Sequence, residues 1–254
     1  ITGTITGTLI INWADLVVGD QITASRAEAS LITAGGQSIP VTVDPALAAS
    51  VGGLESLQGK QVAVTGMTAS DGLAAASLTV LDSVTPAYIV PGLPRGHSKW
   101  IFLLCAAPDS TLLHPDPIAH YTGLLSSSMP GLSHYWSELS YGVVDLAGSA
   151  PAGWFPLPQQ AAYYARQDPS FPDAVSLDFL KVETDCNAAA DAAVDFSQYE
   201  GIAYFVPLPK SVLGDSVVYY GGSAVLTIDG PARMFRTIWM PTEADAVTVA
   251  HEMG

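Results

Sequence analysis

The chain has 254 residues, enough for one large domain or two smaller ones, and 49% are hydrophobic, so it can bury a substantial core. Only 13% are charged, and 24 acids against 9 lysines and arginines leave a net charge of -15. That balance argues against a nucleic-acid surface, which needs cations to displace counterions from phosphate, and against docking on anionic lipid. No stretch approaches the ~20 apolar residues of a membrane-spanning helix, so no membrane insertion is expected. The acidic, lysine-poor composition suits an extracellular protein. The sequence starts at Ile1 without a methionine and stops inside a helix pattern, so both ends read as trimmed, which leaves room for a leader ahead of Ile1.

Residues 1–86 read as all-β. Residues 1–12 alternate Thr or Gly with Ile and then turn continuously apolar, and further strand-like runs lie at 22–25, 38–43, 61–68 and 73–81. Turn clusters at Gly19-Asp20, Gly35-Gly36 and Ser70-Asp71-Gly72 separate them. A short helix at Pro45–Ser50, or a little longer, falls between the third and fourth strands. Five strands with a helix after the third is the pattern of an OB-type barrel, although any small β-barrel or sandwich gives similar spacing. Such barrels often bind single-stranded nucleic acid on aromatic platforms in a positive groove. This segment has Arg26 and Lys60 against seven acids, Trp13 as its one tryptophan, and no tyrosine or phenylalanine. An accessory or pro-segment module is the expected role.

Residues 87–99 hold turn formers and basic groups and read as the inter-domain linker. Arg95-Gly96 within it suits proteolytic maturation, an expectation that N-terminal sequencing of a secreted product retaining Ile1 would contradict. From Trp100 the texture becomes α/β. Trp100–Ala106 is a continuous apolar run typical of a central strand. Residues 132–141 fit a short helix, 143–147 a strand and 173–193 a long helix. Strands follow at 201–206, 223–228 and 234–240. Strands and helices in this order suggest a mixed sheet with helices packed on it, an α+β arrangement.

A last helix begins near Thr242, where Thr242-Glu243-Ala244-Asp245 has the hydroxyl-then-acid spacing of a capping box. It is apolar enough to be buried, yet ends in His251-Glu252-Met253-Gly254. Burying adjacent His and Glu without partners is costly, so something should be bound to them. The chemistry that fits is a His-Glu-x-x-His zinc helix, whose histidines at i and i+4 share one face and reach one metal. His251 is then a zinc ligand, and Glu252 the general base that takes the proton of a zinc-activated water. The second histidine would stand at position 255. A His-Glu pair alone arises often by chance.

Further segments accompany it. They are the strand Trp100–Ala106; Ser133-His134-Tyr135-Trp136-Ser137-Glu138-Leu139-Ser140-Tyr141-Gly142 with Val143 to Gly148 behind it; Gly153-Trp154-Phe155-Pro156-Leu157-Pro158 with Tyr163-Tyr164; and Ala190-Asp191-Ala192-Ala193-Val194-Asp195-Phe196-Ser197-Gln198-Tyr199 before a strand. Together with Thr248-Val249-Ala250-His251-Glu252-Met253-Gly254 they resemble the zincin metallopeptidases of the immune inhibitor A type and, more distantly, gametolysin-like enzymes. The resemblance covers about residues 100–254 and leaves residues 1–86 untouched. It implies the N-terminal part of a zincin catalytic domain, a secreted zinc-dependent endopeptidase acting on protein or peptide substrates, with Zn2+ at His251 and catalysis by Glu252. The remaining ligands would lie beyond Gly254, so the segment alone is expected to bind zinc poorly and to be inactive.

Other residues carry less. His97, His114, His120 and His134 are scattered and make no metal-ligand spacing. Asp185, Asp191, Asp195 and Glu200 read as a solvated helix face, with Ca2+ ligation as the alternative. Cys105 and Cys186 fit one bridge in a secreted chain, or two small buried residues. Residues 1–86 contain no cysteine, which excludes a thiolate latch on the zinc from within them. A serine hydrolase lacks its Gly-x-Ser-x-Gly elbow, since Gly221-Gly222-Ser223-Ala224-Val225 has no closing glycine, and no nucleotide-binding glycine motif is present. The competing reading is a non-catalytic extracellular binding or adhesion module on a zincin-like scaffold.

Overall fold

The computed structural model describes residues 2–19, 21–69, 72–81, 95–110, 117–242 and 244–254. The first part holds strands β1 (Thr2–Val18), β2 (Gln21–Ile32) and β3 (Ser38–Val43), helix α1 (Pro45–Ser50), and strands β4 (Gln61–Ala69) and β5 (Gly72–Val80). Asp44 starts α1 by accepting a hydrogen bond from the Ala46 amide at 2.8 Å, and Pro45 brings a pre-set φ to the first turn. β1 pairs antiparallel with β2 and β4, β2 with β3, and β4 with β5, while β3 and β5 run parallel. The five strands are therefore paired in a closed cycle, around a core of Leu9, Ile11, Leu31, Val62, Val64 and Leu73.

The second part continues with β6 (Gly96–His97), β7 (Trp100–Ala106), α2 (Pro117–Leu124), α3 (Leu132–Leu139), β8 (Val144–Asp145) and β9 (Ala150–Pro156). Then come α4 (Ala161–Tyr164), β10 (Ala165–Gln167), β11 (Val175–Leu177), α5 (Phe179–Ala190), β12 (Gly201–Phe205), α6 (Lys210–Leu213), β13 (Ser216–Leu226), β14 (Arg233–Met240) and α7 (Ala246–Met253). Its sheet runs β13-β14-β12-β7-β9. β14, β12, β7 and β9 are mutually parallel, and β13 is antiparallel to β14.

The uninterrupted apolar run of β7 follows from burial on both faces. Ile101, Leu103 and Cys105 enter a core shared with Val182, Cys186 and Ala190 of α5. Trp100, Phe102 and Leu104 enter the opposite core with Tyr121 of α2, Leu132 of α3, and Val249 and Ala250 of α7. Cys105 and Cys186 are joined by a disulfide, so α5 is bound covalently to the central strand. Of the two fates their sequence allowed, the bridge is the one found.

β1 connects the parts. Its first half belongs to the closed cycle, while residues 13–18 pair antiparallel with residues 216–221 of β13, so twelve strands share one sheet. Leu9 and Ile11 fill the N-terminal core, whereas Ala14 and Val17 enter the two cores of the second part.

Several expectations shift. β1 and β2 are longer than read, because residues 13–18 of β1 pair with β13 on one side and with residues 21–27 of β2 on the other. Residues 173–193 do not form one helix: Val175–Leu177 pairs with β10, and α5 begins only at Phe179, behind the capping carboxylate of Asp178. The strand expected over 143–147 shrinks to two residues beside β6. The last helix starts at Ala246, not near Thr242. Asp245 caps it by accepting from the Thr248 amide at 2.9 Å, and the Thr242 hydroxyl is bonded instead to Tyr219 at 2.7 Å. Glu243 and residues 82–94, which include the first eight residues of the expected linker, lie outside the described residues. No helix among the described residues is long and apolar enough to cross a membrane.

Candidate metal centre

Helix α7 lies against the sheet through Val249 and Ala250. Glu252 sits three residues after Val249, hence on the same inward face, and is 5% exposed. His251 is turned about 100° from it along the helix, with its side chain half exposed. The approach of α7 to the sheet depends on Gly221 of β13. A Cβ there would stand 2.1 Å from the Glu252 carbonyl oxygen. Gly221→Ala must displace the helix end, so it is expected to cost about 1–3 kcal/mol in denaturant unfolding, and unchanged stability would contradict this packing.

The third member comes from β1. Asp15, 3% exposed, places Oδ2 2.9 Å from His251 Nε2. One donor atom each from Asp15, His251 and Glu252 lies within 4.8 Å of the others, and this is the one such group of three or more among the described residues. Asp15 Oδ1 and both Glu252 oxygens are buried with no hydrogen-bond donor in reach. Two buried carboxylates left largely unbonded beside an imidazole are costly unless a cation joins them. The His251 imidazole nitrogen and an Asp15 carboxylate oxygen are donors suited to zinc, and the Glu252 carboxylate beside them would face such an ion without having to bind it, so the residues present fit that ion.

Burial, and then the neighbouring Asp15 carboxylate, push the Glu252 carboxyl up to about 9 from its ordinary 4.5. With both groups ionised no bond joins them; one proton between them allows it. The folded, metal-free chain therefore keeps a proton on Glu252 over a range where the unfolded chain has released it. Stability from this source is intact below about pH 4.5 and is lost as pH climbs towards 9. By pH 7 the loss is at most ~3 kcal/mol. Unfolding midpoints of metal-free protein at pH 5 and pH 7 should differ accordingly, and Glu252→Gln should remove most of the difference; an equal slope in the variant would assign it elsewhere.

A cavity of about 820 Å³ opens beside these residues, walled by Trp13, Trp136, Ser223 and Arg236 together with Asp15, His251 and Glu252. Trp136 comes from α3, in the segment whose sequence resembled a peptidase, and that segment thus reaches the site.

The other candidates do not converge. His97 Nδ1 is 2.7 Å from Asp145 Oδ1 at an exposed position, and His120 packs edge-on against Tyr121. The His134 amide donates to the Ser126 carbonyl, and His114 lies outside the described residues. Among the acids weighed for Ca2+, Asp185 accepts from the Tyr164 hydroxyl at 2.8 Å and Asp195 caps a 3-10 turn. Glu200 accepts from Ser98 and Arg236. Asp15 was not singled out in the sequence. Its one signal was a lone acid in the mostly apolar run from Leu9 to Val18.

Compared with known proteins, the chain matches no protein-family model, no curated protein and no solved structure.

Proposed function

We propose that the chain is part of a secreted zinc-dependent endopeptidase of the zincin type, with His251 as a zinc ligand and Glu252 as the general base. The observation that carries this reading is the pair of buried, unbonded Glu252 oxygens beside His251 at the end of a helix packed under the sheet. The sheet order adds support, since the helix follows β14 and lies beside β13, the antiparallel strand. A strand so placed gives an extended peptide backbone a partner next to the site. Zinc, when bound, lowers the pKa of water to about 7 and polarises a scissile carbonyl. Glu252 would be the chain's own acceptor for that water's proton, once the cation has displaced the proton it carries in the metal-free chain. It then returns the proton to the leaving amine. The second and third ligands would come from sequence after Gly254. We read the five N-terminal strands, with their closed pairing and a helix between the third and fourth, as an OB-like accessory barrel. The buried disulfide is compatible with an extracellular setting.

The competing reading, a binding or adhesion module without catalysis, draws on the bond that His251 already makes to Asp15. Two measurements separate them. Reading the coding sequence past Gly254 should find histidine at position 255 and a third ligand further on. The full-length protein, assayed both intact and after cleavage between Arg95 and Gly96, should hydrolyse peptides in at least the cleaved form, stop when chelated and recover with added zinc. A non-ligand at 255 with no chelator-sensitive hydrolysis would favour the binding module.

A further inference from the structure

We propose that the N-terminal strands hold the peptidase latent, with Asp15 a direct ligand of the zinc in the resting protein and β1 covering the edge of β13 where a substrate backbone would pair. This rests on the endopeptidase reading of His251 and Glu252.

The first ground is topological. Within the second part, β13 is the last strand of the sheet, and an open sheet edge is a template for an added extended peptide. Here the template is taken by the chain itself. Trp13 faces Gly221, Asp15 faces Tyr219 and Val18 faces Ser216 in an antiparallel ladder. The second ground is chemical. Along β1, Trp13, Asp15 and Val17 share one face by the two-residue period of a strand, and Val17 enters the core that contains α7. The residue between them is a buried carboxylate. A strand added only for packing would place an apolar side chain at that position, because burying an ionised acid is expensive. Asp15 instead directs Oδ2 to His251 Nε2 at 2.9 Å and leaves Oδ1 without a donor. That is the disposition of a metal ligand. With no cysteine in residues 1–86, a carboxylate is what this segment has to offer the ion.

The docking is specified on both sides of Asp15. The Asn12 side chain accepts from the Ser223 amide at 2.9 Å, and Gly222 leaves room for it, since a Cβ there would stand 1.9 Å from Asn12 Oδ1. On β2, Glu28 lies 2.9 Å from the Tyr220 hydroxyl, and Arg26 donates to the Ser170 carbonyl. Arg95 and Gly96 are exposed where the chain enters β6, with the Gly96 amide donating to the Val143 carbonyl. Cutting there would sever the covalent tie between β1–β5 and the rest of the chain.

The test uses the full-length protein with Co2+ in place of zinc, and the variants Asp15→Cys and Asp15→Asn. Sulfur at position 15 within bonding distance of the ion gives a thiolate-to-cobalt charge-transfer absorption; Val18→Cys, exposed on the same strand, should give none. In Asp15→Asn, zinc affinity measured against a chromophoric chelator should fall by about tenfold or more. Its peptide hydrolysis at saturating zinc should rise by about tenfold or more. The near-isosteric Asn variant carries the test alone if the cysteine variant fails to fold. If metal binds and hydrolysis is chelator-sensitive, yet the absorption is absent and Asp15→Asn changes neither affinity nor rate, latency through Asp15 is overturned and the endopeptidase reading stands. If no variant binds metal and none hydrolyses peptides, the endopeptidase reading falls and this inference with it.

Discussion

Glu252→Gln in the full-length protein is expected to lower kcat for peptide hydrolysis by about 10²–10⁴-fold, the usual share of a general base, while bound zinc stays near its wild-type level. The two halves of this result have different causes. Gln keeps the volume of Glu and so preserves the packing of α7 against Gly221. It cannot accept the proton that the reaction must remove. Metal retention follows from assigning ligation to His251 and to residues other than Glu252; His251→Ala is expected to lose metal as well as activity. The same substitution should raise the stability of the metal-free protein near neutral pH, because a carboxyl pushed up to about 9 by burial is one whose ionisation opposes folding. Lost activity with gained stability is the pattern of a group retained for chemistry at the expense of the fold. Zinc assay, single-turnover hydrolysis and denaturant unfolding on one preparation would check all three. Hydrolysis within a few-fold of wild type in the Gln variant would remove Glu252 from the proposed mechanism.

How far this site could be read in advance depended on sequence distance. His251 and Glu252 are neighbours on an apolar helix, so their cost when buried was visible locally. Asp15 lies 236 residues from His251, and nothing local ties the two. Only the pairing of β1 with β13 brings them together, and that pairing follows from sheet topology, which no periodicity encodes. The strands most legible were those whose pattern local physics decides. Ser38–Val43 and Pro45–Ser50 are found at the bounds expected of them, because Asp44-Pro45 ends one element and starts the next. Residues 173–193 misled for the opposite reason. Their composition favours helix throughout, but Val175 pairs with Gln167 and Val217, and tertiary pairing overrides propensity for three residues before Asp178 caps the helix. The start of α7 misled through mimicry: Thr242 and Asp245 have capping-box spacing, yet the acid itself is the cap.

The disulfide supplies the other large expected effect, and it acts on the face of the sheet away from the metal centre. Cys105 on β7 and Cys186 on α5 are fully buried and 81 residues apart. Closing a loop of that length removes conformations from the unfolded chain worth about 4–5 kcal/mol in the chain-entropy treatment. The double variant Cys105→Ala with Cys186→Ala also loses two buried sulfurs, so a loss of at least that size is expected. For a chain of this length it corresponds to a fall in Tm on the order of 10–20 °C. Activity should respond differently. Cys105 and α5 belong to one core, whereas α7 packs into the other with Phe102, Leu104 and Ile238. Well below its reduced Tm, the double variant should therefore keep hydrolysis within a few-fold of wild type and retain its metal. In the intact protein, burial of both sulfurs also shields the bond from reductant, so its reduction should wait on unfolding. Reduction that proceeds much faster than global unfolding would mean that α5 detaches locally. A metal site lost together with the disulfide would mean that the two cores are mechanically coupled through the sheet.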